Sequence, residues 1–297
     1  MLVVHLAMRG RTDNPTGRME MSFSPEAPPT YVAPTRVDAD TWVIHQVQQA
    51  LGAPLTVYLN SMIIAGSQPA IIDTGSPNNR TQWLEDVFGI VEPGDVRWVF
   101  LSHDDSDHTG NLAEVMEACP NAVLVCSWAI VERFSNAFRF PLERCRWLND
   151  GESLQIGDRT ILAVRPPVYD SPATRGFLDQ RTGVYWAVDA FATPCPGGPV
   201  PTVADLDPTF WAEGMAMFIN HALSPWIGLV DRGRYGAQLD RVSALGVSSI
   251  ATAHSPLITS SSVDDAFALL RRLPDMQVPP APDQSTLDLI LAAASAA

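Results

Sequence analysis

Six consecutive residues carry the densest potential for chemistry in the chain: His103-Asp104-Asp105-Ser106-Asp107-His108. They follow an apolar run, Val99-Phe100-Leu101, with Ser102 between. A packed core has no use for two imidazoles and three carboxylates in six positions, because each would have to be desolvated. Positions 103, 105 and 107 alternate, so they can converge on one point where a strand runs into a loop, with 108 turning back beside them. Imidazoles and carboxylates at this density are metal ligands, and there are enough of them for two ions. The plainer reading is an acidic surface loop with two incidental histidines. It fits less well, because further ligand-type residues fall where a two-metal site needs them.

Those further residues are Asp170, Asp189 and His254. Asp189 and His254 each end an apolar strand-like run, and Asp170 follows one by six residues. Ligands characteristically sit on loops at the ends of scaffold strands. Each has a structural alternative. Asp170, ahead of Ser171-Pro172, fits an Asx turn. Asp189 fits a strand-end cap, and His254 a helix cap or core histidine. Among the remaining candidates, His221 lies on a helical stretch with Trp211, Met215 and Phe218. It reads first as a helix-face histidine, and otherwise as an acid or substrate contact reaching over the pocket. His45 reads as a packed histidine, and His5 as part of a loose terminus. Arg165, Arg175 and Arg181 surround the Asp170 loop; they are ordinary surface charges or a contact for an anionic substrate. Asp107 counts as a catalytic as well as a ligating candidate.

The elements that must position these groups are visible as periodicity. Strand patterns cover 41–45, 56–64, 69–75, 96–101, 122–126, 159–164, 183–188 and 248–252. Helical spacing covers 80–88, 109–118, 127–136, 208–222, 234–245 and 263–273. Residues 165–172 hold three prolines and cannot be regular structure. Strands come first, then strands mixed with helices, then a second such run. That order predicts an α/β (α+β) fold, an αββα sandwich with two facing sheets and helices outside. The expected organisation is a flexible arm over 1–35, one domain over 36–275 and a Pro/Ala-rich tail over 276–297.

Composition limits the classes. The chain has 297 residues, 46% of them hydrophobic and 18% charged, enough for a sizeable globular core. A formal charge of −14 argues against nucleic acid or an anionic membrane as partner. Every basic residue is Arg, so Schiff-base chemistry is excluded. The four cysteines show no CxxC spacing and suggest neither zinc knuckle nor disulfide framework. With no signal peptide and no 18-residue apolar run, a cytoplasmic location is expected. A homodimer stays open. No Gly-rich phosphate loop, GxSxG elbow or flavin-binding segment is present in the sequence.

Taken together, Asp73-Thr-Gly75, the hexapeptide, Asp189-Ala-Phe191 and Ala253-His254-Ser-Pro256 resemble the metallo-β-lactamase superfamily. The common superfamily pattern is H-x-H-x-D-H, whereas this chain reads H-x-D-x-D-H. A carboxylate at Asp105 resembles the flavodiiron proteins and related single-domain oxygen-binding diiron proteins, which carry H-x-E-x-D-H. Tyr58 to Ile64, Leu101 to Leu112, Asp150-Gly151 and Val188 to Phe191 agree with that branch. The resemblance covers roughly 40 to 275.

The resemblance implies two half-sites. One ion takes His103, Asp105 and Asp170; the other takes Asp107, His108 and His254; Asp189 bridges both. The family carries a histidine where this chain has Asp170, and Tyr169 is a rival ligand. Asp73 is read as an acid that fixes a histidine tautomer or a loop rather than a ligand. Three carboxylates and one imidazole around the first ion favour iron or manganese over zinc, so a two-iron centre is expected, with zinc or manganese as alternatives and no flavin bound by this chain. The preferred function is a non-haem diiron protein that binds or reduces O2 or NO. The flavodiiron enzymes append a flavodoxin domain for which this chain is too short, so electrons would come from a separate donor protein. The alternative is a metal-dependent hydrolase of an ester, lactone, thioester or lactam, using a metal-bridging hydroxide. A third reading is a degenerate scaffold binding one metal or none.

Overall fold

A computed structural model describes residues 30–50 and 53–295. Most of the expected N-terminal arm, with His5, lies outside the described residues.

The chain opens with a hairpin of β1 (Thr35–Asp38) and β2 (Thr41–Ile44). β3 (Val47–Gln49) and β4 (Leu55–Tyr58) form a second hairpin. β5 (Ser61–Ile64), β6 (Ala70–Ile72), β7 (Trp98–Phe100), β8 (Val123–Cys126) and β9 (Cys145–Trp147) follow. They join the first hairpin in a seven-stranded sheet of order β1-β2-β5-β6-β7-β8-β9, parallel from β6 onward. Its helices are α1 (Arg80–Phe88), α2 (Ser106–Thr109), α3 (Leu112–Ala118) and α4 (Trp128–Phe134).

The chain crosses to the second sheet through the turn at Gly151, whose φ of 82° suits glycine. β10 (Ser153–Ile156), β11 (Arg159–Val164), β12 (Gly176–Asp179) and β13 (Val184–Trp186) run antiparallel. After β14 (Cys195–Pro196) and the helices α5 (Pro208–Phe218) and α6 (Arg232–Ser243), β15 (Ser249–Ala251) pairs parallel to β13. α7 (Val263–Arg272) and α8 (Gln284–Ser295) complete the chain. A small sheet of order β14-β4-β3 lies apart from the two large ones.

Side-chain alternation builds four layers. Met62, Ile72, Phe100 and Val125 of the first sheet share one core with Ile161, Ala163, Phe177 and Trp186 of the second. Phe100 and Phe177 meet edge to face, ring centres 5.0 Å apart. The neighbours Ile63, Ile71, Val99 and Leu124 point outward and bury Trp83, Val115 and Ile130 of the helices. On the other side Leu178, Tyr185 and Ile250 pack against Met215, Leu239 and Leu270. Each fully buried large side chain contributes on the order of 1.5–3 kcal/mol. The αββα sandwich is therefore the observed architecture.

One element departs from its sequence pattern. The alternation through 56–64 suggests one strand, but the chain breaks at Leu59-Asn60 and changes sheets between β4 and β5. Asn60 is the cause. Its Nδ2 donates to the carbonyls of Thr252 and Ser255 at 2.9 and 3.0 Å, and its Oδ1 pairs with His45 Nδ1 at 2.8 Å. Three buried polar contacts outweigh a continuous ladder. No helix among the described residues is long and apolar enough to cross a membrane.

Candidate metal centre

The loops that leave β7, β11, β13 and β15 deliver the candidate ligands, as is usual for sites carried on a strand scaffold. β7 stops at Phe100, and His103 follows three residues on. The hexapeptide then departs from the extended alternation its sequence suggests. Asp105 has extended backbone angles and stands as the N-cap of α2, with no side-chain cap bond. Its carbonyl accepts from the amides of His108 and Thr109 at 3.1 and 3.0 Å, so the carboxylate stays free. The helical turn sends residues 103 and 105 to one group of ligands and 107 and 108 to another.

Asp189 follows β13. Val188 and Phe191 around it have φ of 59° and 66°, and Asp73 has φ of 58°; these are the non-glycine residues with positive φ among those described. A β-branched residue in that region costs on the order of 1–3 kcal/mol and persists only where the surroundings hold it. Val188 precedes Asp189, Phe191 follows it by two residues, and Asp73 bonds to His108. His254 follows β15. The Ala253 amide donates to the Val188 carbonyl at 2.7 Å, and the Asn60 amide to the Ala253 carbonyl at 2.8 Å, fixing the two strand exits to each other.

The seven expected ligands converge. His103 Nε2 lies 3.6 Å from Asp105 Oδ2, 3.9 Å from Asp170 Oδ1 and 3.5 Å from Asp189 Oδ2. His108 Nε2 lies 3.4 Å from Asp107 Oδ2 and 3.1 Å from Asp189 Oδ1. His254 Nε2 lies 3.4 Å from the same Asp107 oxygen and 3.2 Å from Asp189 Oδ1. Asp189 thus turns one oxygen toward each group. Both of its oxygens and His108 Nε2 are buried without a hydrogen-bond partner. Buried orphan polar atoms are rare and costly. A pair of cations between these atoms would satisfy all three, so the residues fit a dinuclear metal group.

The tautomers agree. His254 Nδ1 lies 2.9 Å from the Tyr58 carbonyl, which can only accept. His108 Nδ1 lies 2.9 Å from Asp73 Oδ2. Ser102 Oγ donates to Asp73 Oδ2 at 2.7 Å, leaving its lone pairs for His103 Nδ1 at 3.2 Å. Each imidazole therefore carries its proton on Nδ1 and presents Nε2 to the centre. Asp73 is fully buried and also accepts from the Ser102 amide and from Trp186 Nε1. It holds His108 and Ser102 from behind the cluster.

Without cations, opposing charges govern ionisation. Burial pulls the His108 imidazole down, but Asp107, Asp73 and Asp189 outweigh it and hold it well above its usual range. His103 and His254 are raised by the same competition. Burial pushes Asp189 up, and His103 and His108 overcome it, holding the carboxyl well below its usual range. Asp107 is likewise depressed, by His108 and His254 against burial. Asp170 goes the other way, pushed up to about 6 by burial and then by Asp189.

The structure brings Asp170, and not Tyr169, next to His103. Tyr169 turns away, its ring 5.4 Å from that of Trp226 and under the Arg165 guanidinium at 5.3 Å. His221 is not brought into the cluster; its Nε2 meets the Pro279 carbonyl at 2.8 Å, on a π-helical turn, Ile219–Leu223. Phe218, on the same stretch, packs its ring 5.7 Å from that of His254. Arg181 pairs with Asp158, whereas Arg165 and Arg175 both donate to the Pro172 carbonyl. Sequence reasoning missed Asp104, which accepts from Arg133 Nε at 2.7 Å and from Ser171 Oγ at 3.1 Å. It ties the hexapeptide to the loop of Asp170, and its place inside the hexapeptide was the available signal.

The chain is similar to several known proteins. "Putative diflavin flavoprotein A 1" of Nostoc sp. is 25% identical over 202 residues, covering 67% of this chain and 33% of that protein. "Anaerobic nitric oxide reductase flavorubredoxin" of Pectobacterium atrosepticum is 21% identical over 133 residues, covering 44% and 26%. This chain therefore spans about a third or less of these two relatives' length. The crystal structure of the flavodiiron protein from Giardia intestinalis superposes with a TM-score of 0.67 at 18% identity, over 83% of this chain and 60% of that one. It shares the metallo-β-lactamase-like fold. A family model described as "ODP family beta lactamase" matches residues 57–231, more than half of the chain, and the chain belongs to that family.

Proposed function

We propose that the chain holds a dinuclear non-haem iron centre that binds or reduces O2 or NO, with electrons from a redox donor. One observation carries the reading: the two unpartnered oxygens of buried Asp189 face two different ligand groups. His103, Asp105 and Asp170 would hold one ion, and Asp107, His108 and His254 the other. The relatives support the choice of gas, since one is an anaerobic nitric oxide reductase flavorubredoxin and a structural neighbour is a flavodiiron protein.

An iron pair bound there would supply reversible one-electron chemistry toward a diatomic ligand. The protein's own work is to hold and orient. Asp73 and the Tyr58 carbonyl fix the imidazoles. Phe218, packed beside His254, helps keep water from the imidazole. The carboxylate-rich first half-site favours a hard ion such as iron. Cys119, Cys126 and Cys195 are buried and Cys145 half-buried, all as free thiols, which supports a reducing, cytoplasmic setting.

The test is metal analysis of the chain produced in iron-rich medium, with optical spectra before and after O2 or NO. Two irons per chain and a visible band that responds to the gas are expected. Stoichiometric zinc together with esterase or lactonase turnover would overturn the reading in favour of hydrolysis.

A further inference from the structure

Beside the metal loops lies a second cluster of opposite charge. A cavity of about 360 Å³ is bounded by Trp128, Ala129 and Pro172 on its apolar side and by Arg165 and Arg175 on its cationic side. Arg175 is only 6% exposed. Its Nη1 donates to the carbonyls of Pro172 and Thr174, at 3.3 and 2.7 Å, but its Nε has no partner. Arg165 Nη2 donates to the same Pro172 carbonyl at 3.1 Å, and its Nε is also buried without a partner.

Neither guanidinium has a carboxylate oxygen within salt-bridge distance among the described residues, whereas Arg159, the other arginine buried as deeply as Arg175, has both Asp40 and Asp179. The nearby acids are engaged elsewhere. Asp150 accepts from the Arg165 amide and faces Arg241. Asp104 accepts from Arg133, which also lines the cavity. Glu132 lines it too, but is exposed to water. Arg175 is a nearly fully buried cation without a counter-charge beside a second, half-buried one; that is costly, and a bound anion removes the cost.

We infer that the cavity between Arg165, Arg175 and Trp128 is a binding site for a small oxyanion, a phosphate or carboxylate group carried next to an apolar body. The donors left for the anion are the terminal nitrogens not committed to carbonyls, Nη1 of Arg165 and Nη2 of Arg175, since both Nε atoms are closed off from the cavity. Trp128, 52% exposed, offers a flat surface for whatever the anion is attached to. The site stands on these residues alone and does not depend on which metal the neighbouring centre holds.

The experiment is calorimetric titration of the metal-loaded full chain with inorganic phosphate and, separately, with benzoate. Saturable binding is expected for at least one of them, weakened about tenfold or more in Arg165→Gln. Arg165 is only half-buried, so the variant is expected to fold, and an unchanged metal content checks that it has. Tighter phosphate assigns a phosphate-bearing ligand. Tighter benzoate, with further loss in Trp128→Ala, assigns an aryl carboxylate. Absence of saturation by both anions below about 10 mM overturns the inference. Equal binding by wild type and Arg165→Gln also overturns it, because the anion would then sit on the metals.

Discussion

Trp186 on the second sheet donates its indole Nε1 hydrogen to Asp73 Oδ2 on the first, at 2.9 Å. The bond crosses the core between the sheets just behind the centre. Asp73 then passes the constraint to His108 Nδ1 and to Ser102 Oγ. Asp73→Asn keeps the volume but replaces one acceptor oxygen with a donor, which opposes the Nδ1–H tautomer of His108. We expect metal affinity to fall about 10–100-fold. Trp186→Phe removes the indole donor, a hydrogen bond to a charged group that contributes about 1.5–3 kcal/mol, and also leaves a cavity in the core where the larger ring packed. It is expected to lower stability in chemical denaturation while keeping both metals. Equal metal affinity in Asp73→Asn and wild type would mean that Asp73 does not orient the ligands.

Asp105 and Asp170 share His103 as neighbour and separate this centre from a histidine-rich one. Asp105→His adds an imidazole to the first half-site, and the change from oxygen to nitrogen shifts preference from iron toward zinc. Grown with both metals present, the variant should carry a higher zinc-to-iron ratio than wild type. Asp170→Asn should lower the content of the first half-site, while Tyr169→Phe should leave two ions per chain, because that ring packs on Trp226. Metal loss in Tyr169→Phe with full loading of Asp170→Asn would reverse the ligand assignment.

Much of this centre was readable before any geometry. Strand-end positions for Asp189 and His254 followed from apolar runs that stop abruptly. The hexapeptide combined two ligand types at a density no core tolerates. The unreadable parts were set by long-range contacts. Alternation through 56–64 continues across Asn60, and only the carbonyls of Thr252 and Ser255 reveal why the strand breaks there. Asp104 looked like one more acid until Ser171, 67 residues away, proved to be its partner. Trp186 has the pattern of any core aromatic, and its role lies in one N–H. The choice between Tyr169 and Asp170 needed the positions of Trp226 and Arg165, which local sequence does not encode.

Proton release should accompany metal uptake by the metal-free chain. Asp170 is pushed up to about 6, first by burial and then by Asp189. Below that pH the group carries a proton that an incoming cation must displace; above it, the carboxylate is free to bind. The three histidines are also held above their usual range, so they give up protons as well. Affinity for Zn²⁺ or Fe²⁺ should rise with pH through about 6. Titrations in two buffers of different ionisation enthalpy would count the protons, and an affinity independent of pH between about 5 and 7 would contradict the assignment.

Val188 offers a test of how the fold holds its bridging carboxylate. Its φ of 59° suits glycine, yet its side chain is fully buried in the core between the sheets. Removing the side chain loses burial of about 1.5–3 kcal/mol in either small variant. Alanine keeps most of the left-handed strain, because the Cβ remains. Glycine relieves it, by about 1–2 kcal/mol, which exceeds the roughly 0.5–1 kcal/mol by which glycine is usually worse than alanine. Val188→Gly should therefore be at least as stable as Val188→Ala, the reverse of the ordinary order, with both below wild type. The midpoint of urea unfolding measures this directly. If Val188→Ala proves clearly the more stable of the two, the backbone before Asp189 is not strained, and the carboxylate's position rests on its hydrogen-bonded neighbours alone.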